Sequence, residues 1–457
     1  MPPLAAWDTS QLLAEARGLS AARRHREAKA AYLALLHRAP THLAGLSELG
    51  ALAYAGDHRS AARTIYKQMV QVHPREPGGW VNLGIIHYED GAFAAARSAF
   101  EMALSIDSDL KEAHRGLAQV LLEQGEPGHA ERHWRESFPG QAIALRDYHG
   151  PEPATHVLFL ISVKGGNIPL NHIFDGYGFK MTILYVEYYK ADYSLPPHDV
   201  VFNAIGDADL CRSALLTAES VLSQTTAPVI NAPSRVLKTG RLENAARLGA
   251  LPDVRAPCIR EMQRIDIAKQ AEFPILLRTP GYHTGQHFLK VDCKQDLEGA
   301  CAALPGNEIL AIEYLDARSA DGLVRKYRVM VIGGKLYPLH LAISANWKVH
   351  YFTADMADNE SHRAEERRFL EDMPAVIGAR AMAALERIAE ALGLDYAGID
   401  FALKPDGTLL LFEANATMLI RPPTADCKWN YRREAGRRAR DAANALPLAP
   451  RRSLSWP

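Results

Sequence analysis

The chain has 457 residues, 48% of them apolar and 23% charged, with 52 basic side chains against 53 acidic ones. That length supports several domains with separate cores. A formal net charge of −1 makes no global case for a nucleic-acid or acidic-membrane partner, and no segment approaches the roughly 20 apolar residues of a membrane span.

The first stretch, MPPLAAWDTSQLLAEARG, turns acidic and helical before any apolar run of signal-peptide length, so a cytoplasmic protein is expected. The five cysteines (Cys211, Cys258, Cys293, Cys301, Cys427) have no metal-ligand spacing and read as reduced thiols.

Pro40 and Pro74 close two similar stretches and define a period of 34. Stepping by that period finds Ala28, Ala62, Ala96 and Ala130, each followed four residues later by an aromatic: Tyr32, Tyr66, Phe100 and Trp134. A second column of small residues runs Ala16, Gly50, Gly84 and Ala118. The pattern predicts paired amphipathic helices, with small residues where helices cross closely and the aromatic in the next groove. Over residues 9–142 it resembles four tetratricopeptide repeats. The resemblance implies an all-α solenoid within residues 1–147. Its concave face would bind a peptide or partner protein, unless the array is a spacer or a dimerisation surface.

The stretch YHGPEPATH (148–156) reads as a linker. Beyond it, HVLFLIS, KMTILYVEY, HDVVFNAIG and APVINAP read as short strands with helices between them, an α/β layer of mainly parallel strands over residues 153–254. Lys164-Gly165-Gly166-Asn167 follows the first of these strands. It is either an anion cradle of backbone amides or a plain strand-to-helix turn.

From residue 255 to 445 the pattern changes to β-hairpins, a long helix near 375–392, and the stretch GLDYAGIDFALKPDGTLLLFEANATM (393–418). Asp406-Gly407 is a strong two-residue hairpin signal. That loop places Asp400 opposite Glu413, with Asn415 on the same face and Phe401 and Phe412 on the other. Two carboxylates and a carboxamide between apolar runs are either rim residues of an exposed sheet or ligands of a cation; all-oxygen donors in small number suit Mg²⁺.

Asp400, Glu413 and Asn415, led in by GLDYAGIDFA, resemble the magnesium site of ATP-grasp carboxylate ligases such as D-alanine–D-alanine ligases, glutathione synthetases and RimK-like enzymes. The resemblance covers residues 153–425. It implies a multidomain chain: the repeats, an α/β pre-ATP-grasp domain, and an α+β ATP-grasp domain over 255–445, with residues 446–457 as a tail. ATP and Mg²⁺ are the implied cofactors. FPILLRTPGYHTGQHFLKV looks like the family's phosphate-binding strand and loop, with Arg278 where Lys is usual and Gly281 and Gly285 in the loop. His283 and His287 there read as exposed loop residues or phosphate contacts, with a metal pair as the alternative. Glu313, Tyr314 and Leu315 look like the hinge that reads adenine, and Glu313 is also readable as a strand-end carboxylate. RKYRVMVIGGKLYP resembles the family's acid-x-Arg-Val strand, with Arg328 kept and Lys326 in place of the acid. Lys348 is the candidate cation near the γ-phosphate and acceptor, and is also readable as a solvated strand residue.

Two departures concern chemistry. Gly398 stands where D-alanine ligases have an oxyanion-stabilising Arg, and NATMLIRPPTAD replaces their Ser-Pro-Gly-like loop, so either Arg421 or Lys348 takes that role or the acceptor site is differently built. The implied activity is joining a carboxylate, activated as an acylphosphate, to an amine or similar nucleophile, the substrate being small or a peptide docked on the repeats. The chain has no Ser/His/Asp or Cys/His constellation, and this mechanism needs none. The alternative is a non-catalytic nucleotide-binding scaffold. The basic segment NYRREAGRRARDAANAL is expected to be a solvated helix face.

Overall fold

The computed structural model describes residues 7–22, 24–56, 58–137, 142–174, 176–190, 194–280, 287–349, 354–421, 423 and 426–449. The chain forms two compact units, residues 1–141 and 142–457.

The first unit holds eight helices among its described residues: α1 (Thr9–Ala21), α2 (His25–Arg38), α3 (Leu43–Ala55), α4 (Arg59–Val72), α5 (Pro77–Glu89), α6 (Phe93–Ile106), α7 (Lys111–Glu123) and α8 (Pro127–Ser137). Odd and even helices each recur every 34 residues, as the sequence period requires. Ala28, Ala62, Ala96 and Ala130 are fully buried, and the four column aromatics are 2% exposed or less. The second small column is a steric requirement. A Cβ at Gly50 would lie 2.6 Å from the Tyr66 ring, and one at Gly84 would lie 2.8 Å from the Phe100 ring. Tyr54 donates to Glu89 at 2.6 Å and Tyr88 to Glu123 at 3.4 Å, the same bond one period on. This unit is a four-pair helical repeat array.

In the second unit the expected linker at 148–156 is not the boundary. A three-residue strand, β1 (Ile143–Leu145), precedes it and pairs antiparallel with β3 (Lys180–Tyr185); so short a strand leaves no periodic trace in the sequence. The first sheet runs in the order β1-β3-β2-β4-β5, with β2 (His156–Ile161), β4 (Val200–Asn203) and β5 (Val229–Ile230) parallel as predicted.

The remaining strands make two more sheets. They are β6 (Val254–Arg255), β7 (Ile259–Gln263), β8 (Ile275–Arg278), β9 (Phe288–Val291), β10 (Glu308–Glu313), β11 (Val324–Ile332), β12 (Lys335–Ser344), β13 (Tyr396–Leu403) and β14 (Leu409–Asn415). The smaller sheet is antiparallel, in the order β7-β10-β8-β9, with its own core of Met262, Ile267, Ile275, Leu277 and Ile309. The larger runs β12-β11-β13-β14-β6.

One continuous core joins the first sheet to the larger one and includes the helix Met373–Leu392 through Ala381, Leu385 and Ile388. Phe401 belongs to it and stacks on Tyr327 with ring centroids 5.2 Å apart. The next residue, Ala402, faces the opposite way and joins a small separate cluster with Val324, Ala342, Leu410, Leu315 and Phe412. Because the smaller sheet keeps a core of its own, this second face of the larger sheet is left to carry polar chemistry.

The basic C-terminal segment is not only a solvated face. Arg432 is buried against Glu366 at 2.5 Å, and the helix Arg433–Ala445 buries Ala435, Ala439 and Ala443 while Arg437 stays outside. Alternating Ala and Arg at helical spacing serves both faces. No helix of the described residues is long and apolar enough to cross a membrane.

Candidate functional site

Asp400 and Glu413 do stand opposite each other, by a route the sequence did not suggest. The hairpin loop has three residues, not two. Lys404 N–H donates to Thr408 O, Gly407 N–H donates to Lys404 O, and Gly407 takes φ +82°, so Leu403 faces Leu409. A bulge then falls between Asp400 and Phe401, with Phe412 as the extra residue on β14. The two offsets cancel, and Glu413 returns to Asp400. The bulge also overturns the expected position of Phe412, which packs with Ala402 and Leu410 beside the polar residues, not behind them with Phe401.

Asp400 is fully buried. Arg328 grips it with a two-armed fork, Nε to Oδ1 at 2.6 Å and Nη2 to Oδ2 at 2.8 Å. Lys326, two residues earlier on the same face of β11, brings Nζ to 2.7 Å from Oδ2. Burial alone would push the Asp400 carboxyl up; the two cations overcome it and hold the group far below the usual carboxylate range. Glu413 accepts from Arg241 at 3.1 Å and from Asn415 Nδ2 at 3.0 Å, both through Oε1. Desolvation and the Asp400 charge raise Glu413, whereas Arg241, Arg278 and Lys326 lower it, and the net direction is down. The Asn415 carbonyl oxygen accepts from Thr417 N–H and O–H at 3.0 and 2.9 Å.

Arg278 ends β8 on the smaller sheet and is 9% exposed. Burial, with Arg241 acting the same way, brings its guanidinium down to about 10, against the pull of Glu413, Asp207 and Asp209. It lies over the Phe288 ring at 5.6 Å, and Lys348 approaches the same ring at 5.7 Å while donating to Phe288 O at 3.3 Å. Lys348 thus sits with Arg278, not with Asp400, and burial together with Arg278 lowers its pKa.

The hinge residues divide. Glu313 is held by Arg255 and by Cys258 N–H, one on each oxygen, which ties the end of β10 to the start of β7. Tyr314 stacks under Lys290, 4.4 Å from ring centroid to Nζ, and Leu315 joins the apolar cluster of Phe412. Gly281 and Gly285, with His283, lie outside the described residues; His287, just after them, has φ +46°.

Other candidate residues are placed as follows. The amides of Ser162, Val163 and Lys164 donate to Asn167, Glu187 and the Ser162 hydroxyl, so the Lys164 amide is used within the turn and a carboxylate, Glu187, stands beside it. At Gly398 a Cβ would lie 2.4 Å from Met418 Sδ, so the space of an arginine stem is filled by methionine. Arg421 is exposed. Arg241 was invisible in the sequence, because the helix Arg241–Gly249 reaches β14 only through the fold, where Asn244 also donates to Ala414 O at 2.6 Å. Its own N–H caps on Asp209 at 3.1 Å, and burial pushes Asp209 up.

Four cations (Arg241, Arg278, Lys326, Arg328), drawn from both sheets and a connecting helix, therefore surround Asp400 and Glu413, with Asp207 and Asp209 acting on Arg278 from beyond them. The donors are all oxygen, as Mg²⁺ prefers, and Glu413 Oε2 is outside both contacts made by Oε1. The two cations on Asp400 disfavour a bare divalent ion there and favour one that arrives on a polyanion. Among the described residues no group of three or more His, Cys, Asp or Glu is placed to hold a metal.

No family model matches the chain. No curated protein matches it either. Among solved structures the chain is similar to MamA at 16% identity and a TM-score of 0.27, over 28% of this chain and 75% of that one. It is similar to MamA 41-end from Desulfovibrio magneticus RS-1 at 17% identity and TM-score 0.27, over 28% and 73%. For MamA AMB-1 the figures are 18% and 0.27, over 30% and 79%. Likenesses of this size carry no conclusion about function.

Proposed function

We propose that residues 142–457 form an ATP-grasp-type ligase that activates a substrate carboxylate as an acylphosphate and joins it to an amine or similar nucleophile. The observation that carries the reading is the convergence of Arg278 from the smaller sheet with Lys326, Arg328, Asp400 and Glu413 from the larger. A polyphosphate between the sheets meets cations on both sides and the Leu315–Phe412 cluster beside them, which suits the apolar face of a nucleobase. Arg278 and Lys348 would bind from the β9 side; Arg328 and Lys326 would steady the transferring phosphoryl group. Asp400, Glu413 and Asn415 are the residues the resemblance assigns to Mg²⁺; of the two carboxylates Glu413 keeps an oxygen, Oε2, outside its contacts with Arg241 and Asn415 and would hold the ion, which when bound neutralises phosphate charge. The acceptor end departs from D-alanine ligases, since Met418 closes the space over Gly398. The repeat array would dock a partner or a peptide substrate, raising its effective concentration.

A second reading, a nucleotide-binding scaffold without turnover, is favoured by one observation: both oxygens of Asp400 are ion-paired by the chain itself. Calorimetry with Mg·ATP, on the wild type and Glu413→Ala, tests the shared claim. Binding that requires Mg²⁺ and is lost in the variant supports it, and no binding by folded wild type sinks both readings. ADP release with pairs of carboxylates and amines then separates ligase from scaffold.

A further inference from the structure

Lys326 stands where the resemblance leads one to expect an acid, and its ammonium lies on the carboxylate assigned to the metal. We infer that Lys326 is a built-in cation on Asp400. It takes the share of the carboxylate that a divalent metal would need, so a metal arriving with polyphosphate is held by Glu413 beside Asn415. Asp400 instead aims Lys326 and Arg328 at the phosphates. This goes beyond the ligase reading and rests on it only for the identity of the polyanion.

The geometry is specific. Arg328 faces Asp400 directly across β11 and β13, and Lys326 is two residues earlier on β11, so strand periodicity puts both cations on the Asp400 face. The fork takes both oxygens, and Lys326 shares Oδ2. A divalent ion bound to either oxygen would lie within a few ångströms of two like charges in a buried setting. Glu413 is different: Arg241 and Asn415 both use Oε1, and the residue is only half-buried. The two carboxylates face each other on one sheet, yet only one of them is set to accept a metal. Lys326 has three donors and Arg328 five, so each keeps N–H groups for a further acceptor while holding Asp400.

The test is Mn²⁺ titration of the full-length protein, followed by electron paramagnetic resonance, with no nucleotide present. Wild type should leave Mn²⁺ free in solution. Lys326→Met, which removes one of the two cations on Asp400 Oδ2, should bind Mn²⁺ about ten- to a hundredfold more tightly than wild type, the range in which neighbours of a metal site act. Lys326→Arg, keeping the charge, should behave as wild type. Wild type that binds Mn²⁺ as tightly as Lys326→Met would overturn the inference, as would equal weak binding in both folded proteins. Should Lys326→Met not fold, Lys326→Gln takes its place, and the wild-type titration still decides against the inference if it saturates without nucleotide. Because no nucleotide is used, failure here is separate from a failure to bind ATP in calorimetry.

Discussion

Arg328 holds Asp400 through two parallel N–H···O contacts of 2.6 and 2.8 Å across adjacent strands, with the carboxylate wholly out of solvent. A buried carboxylate gripped in this way is costly to leave half-paired. Arg328→Met should therefore destabilise the second unit by about 3–5 kcal/mol. The double variant Arg328→Met with Asp400→Asn should recover much of the loss, since no full charge then needs the fork. Urea denaturation of the four proteins forms the cycle. Additive losses would show that the pair does not act as a unit.

His340 gives the pH dependence a second window. It is buried opposite Arg328 on β12, and burial together with the Arg328 charge holds it neutral, well below its ordinary value. The unfolded chain takes up that proton below about pH 6.5 and the folded chain does not, so stability falls as pH falls, by up to about 1.4 kcal/mol per pH unit for this one group. Asp400 acts lower: its depressed value stabilises the fold above about pH 4, and that contribution is lost on further acidification through the folded value. Denaturation midpoints at pH 7.0, 6.0 and 5.0 in wild type and His340→Leu should diverge in slope. Parallel slopes would mean that His340 takes up its proton in the folded protein as it does in the unfolded chain.

The repeat half was legible because its signal is redundant. Four copies of Ala, aromatic and small residue at one period leave little choice of register, and Phe100 lies against Gly84 as the columns imply. The hairpin of Asp400 and Glu413 was legible only in outcome. Asp406-Gly407 was right as a turn signal, but a G1 loop and the Phe412 bulge are decided by backbone geometry that no periodicity records. Contacts far apart in sequence were out of reach: Arg241 to Glu413 spans 172 positions, and Lys326 was legible as a departure but not as the partner of Asp400.

Within the repeats the close approach of Gly84 to Phe100 invites a volume swap. Phe100→Ala should cost about 3–5 kcal/mol by opening a cavity against α5 and α7. Gly84→Leu should cost about 1–3 kcal/mol or more, since its Cβ alone already meets the ring at 2.8 Å. Combined, the added side chain occupies part of the space the ring left. The double variant should then melt above the temperature expected from adding the two losses, as followed by circular dichroism at 222 nm. Simple additivity would place the ring elsewhere than between these helices.

The aromatic bridge between the smaller and the larger sheet should report ligand entry. Trp347 follows β12 of the larger sheet and meets Phe288 of β9, on the smaller sheet, edge-on at 5.5 Å, with Tyr314 at 6.4 Å. Arg278 and Lys348 lie over the same Phe288 ring. A polyanion entering beside them should draw both cations toward itself, since their lowered pKa values mark charges that gain from a counter-ion. The ring contact then changes, and with it the surroundings of the Trp347 indole. Mg·ATP should alter intrinsic fluorescence in wild type, with the half-point seen in calorimetry, and the change should largely vanish in Trp347→Phe while binding persists. A signal undiminished in Trp347→Phe would mean that the polyanion enters somewhere other than beside Phe288, and Arg278 would then be an internal counter-ion to Glu413 and not a ligand contact.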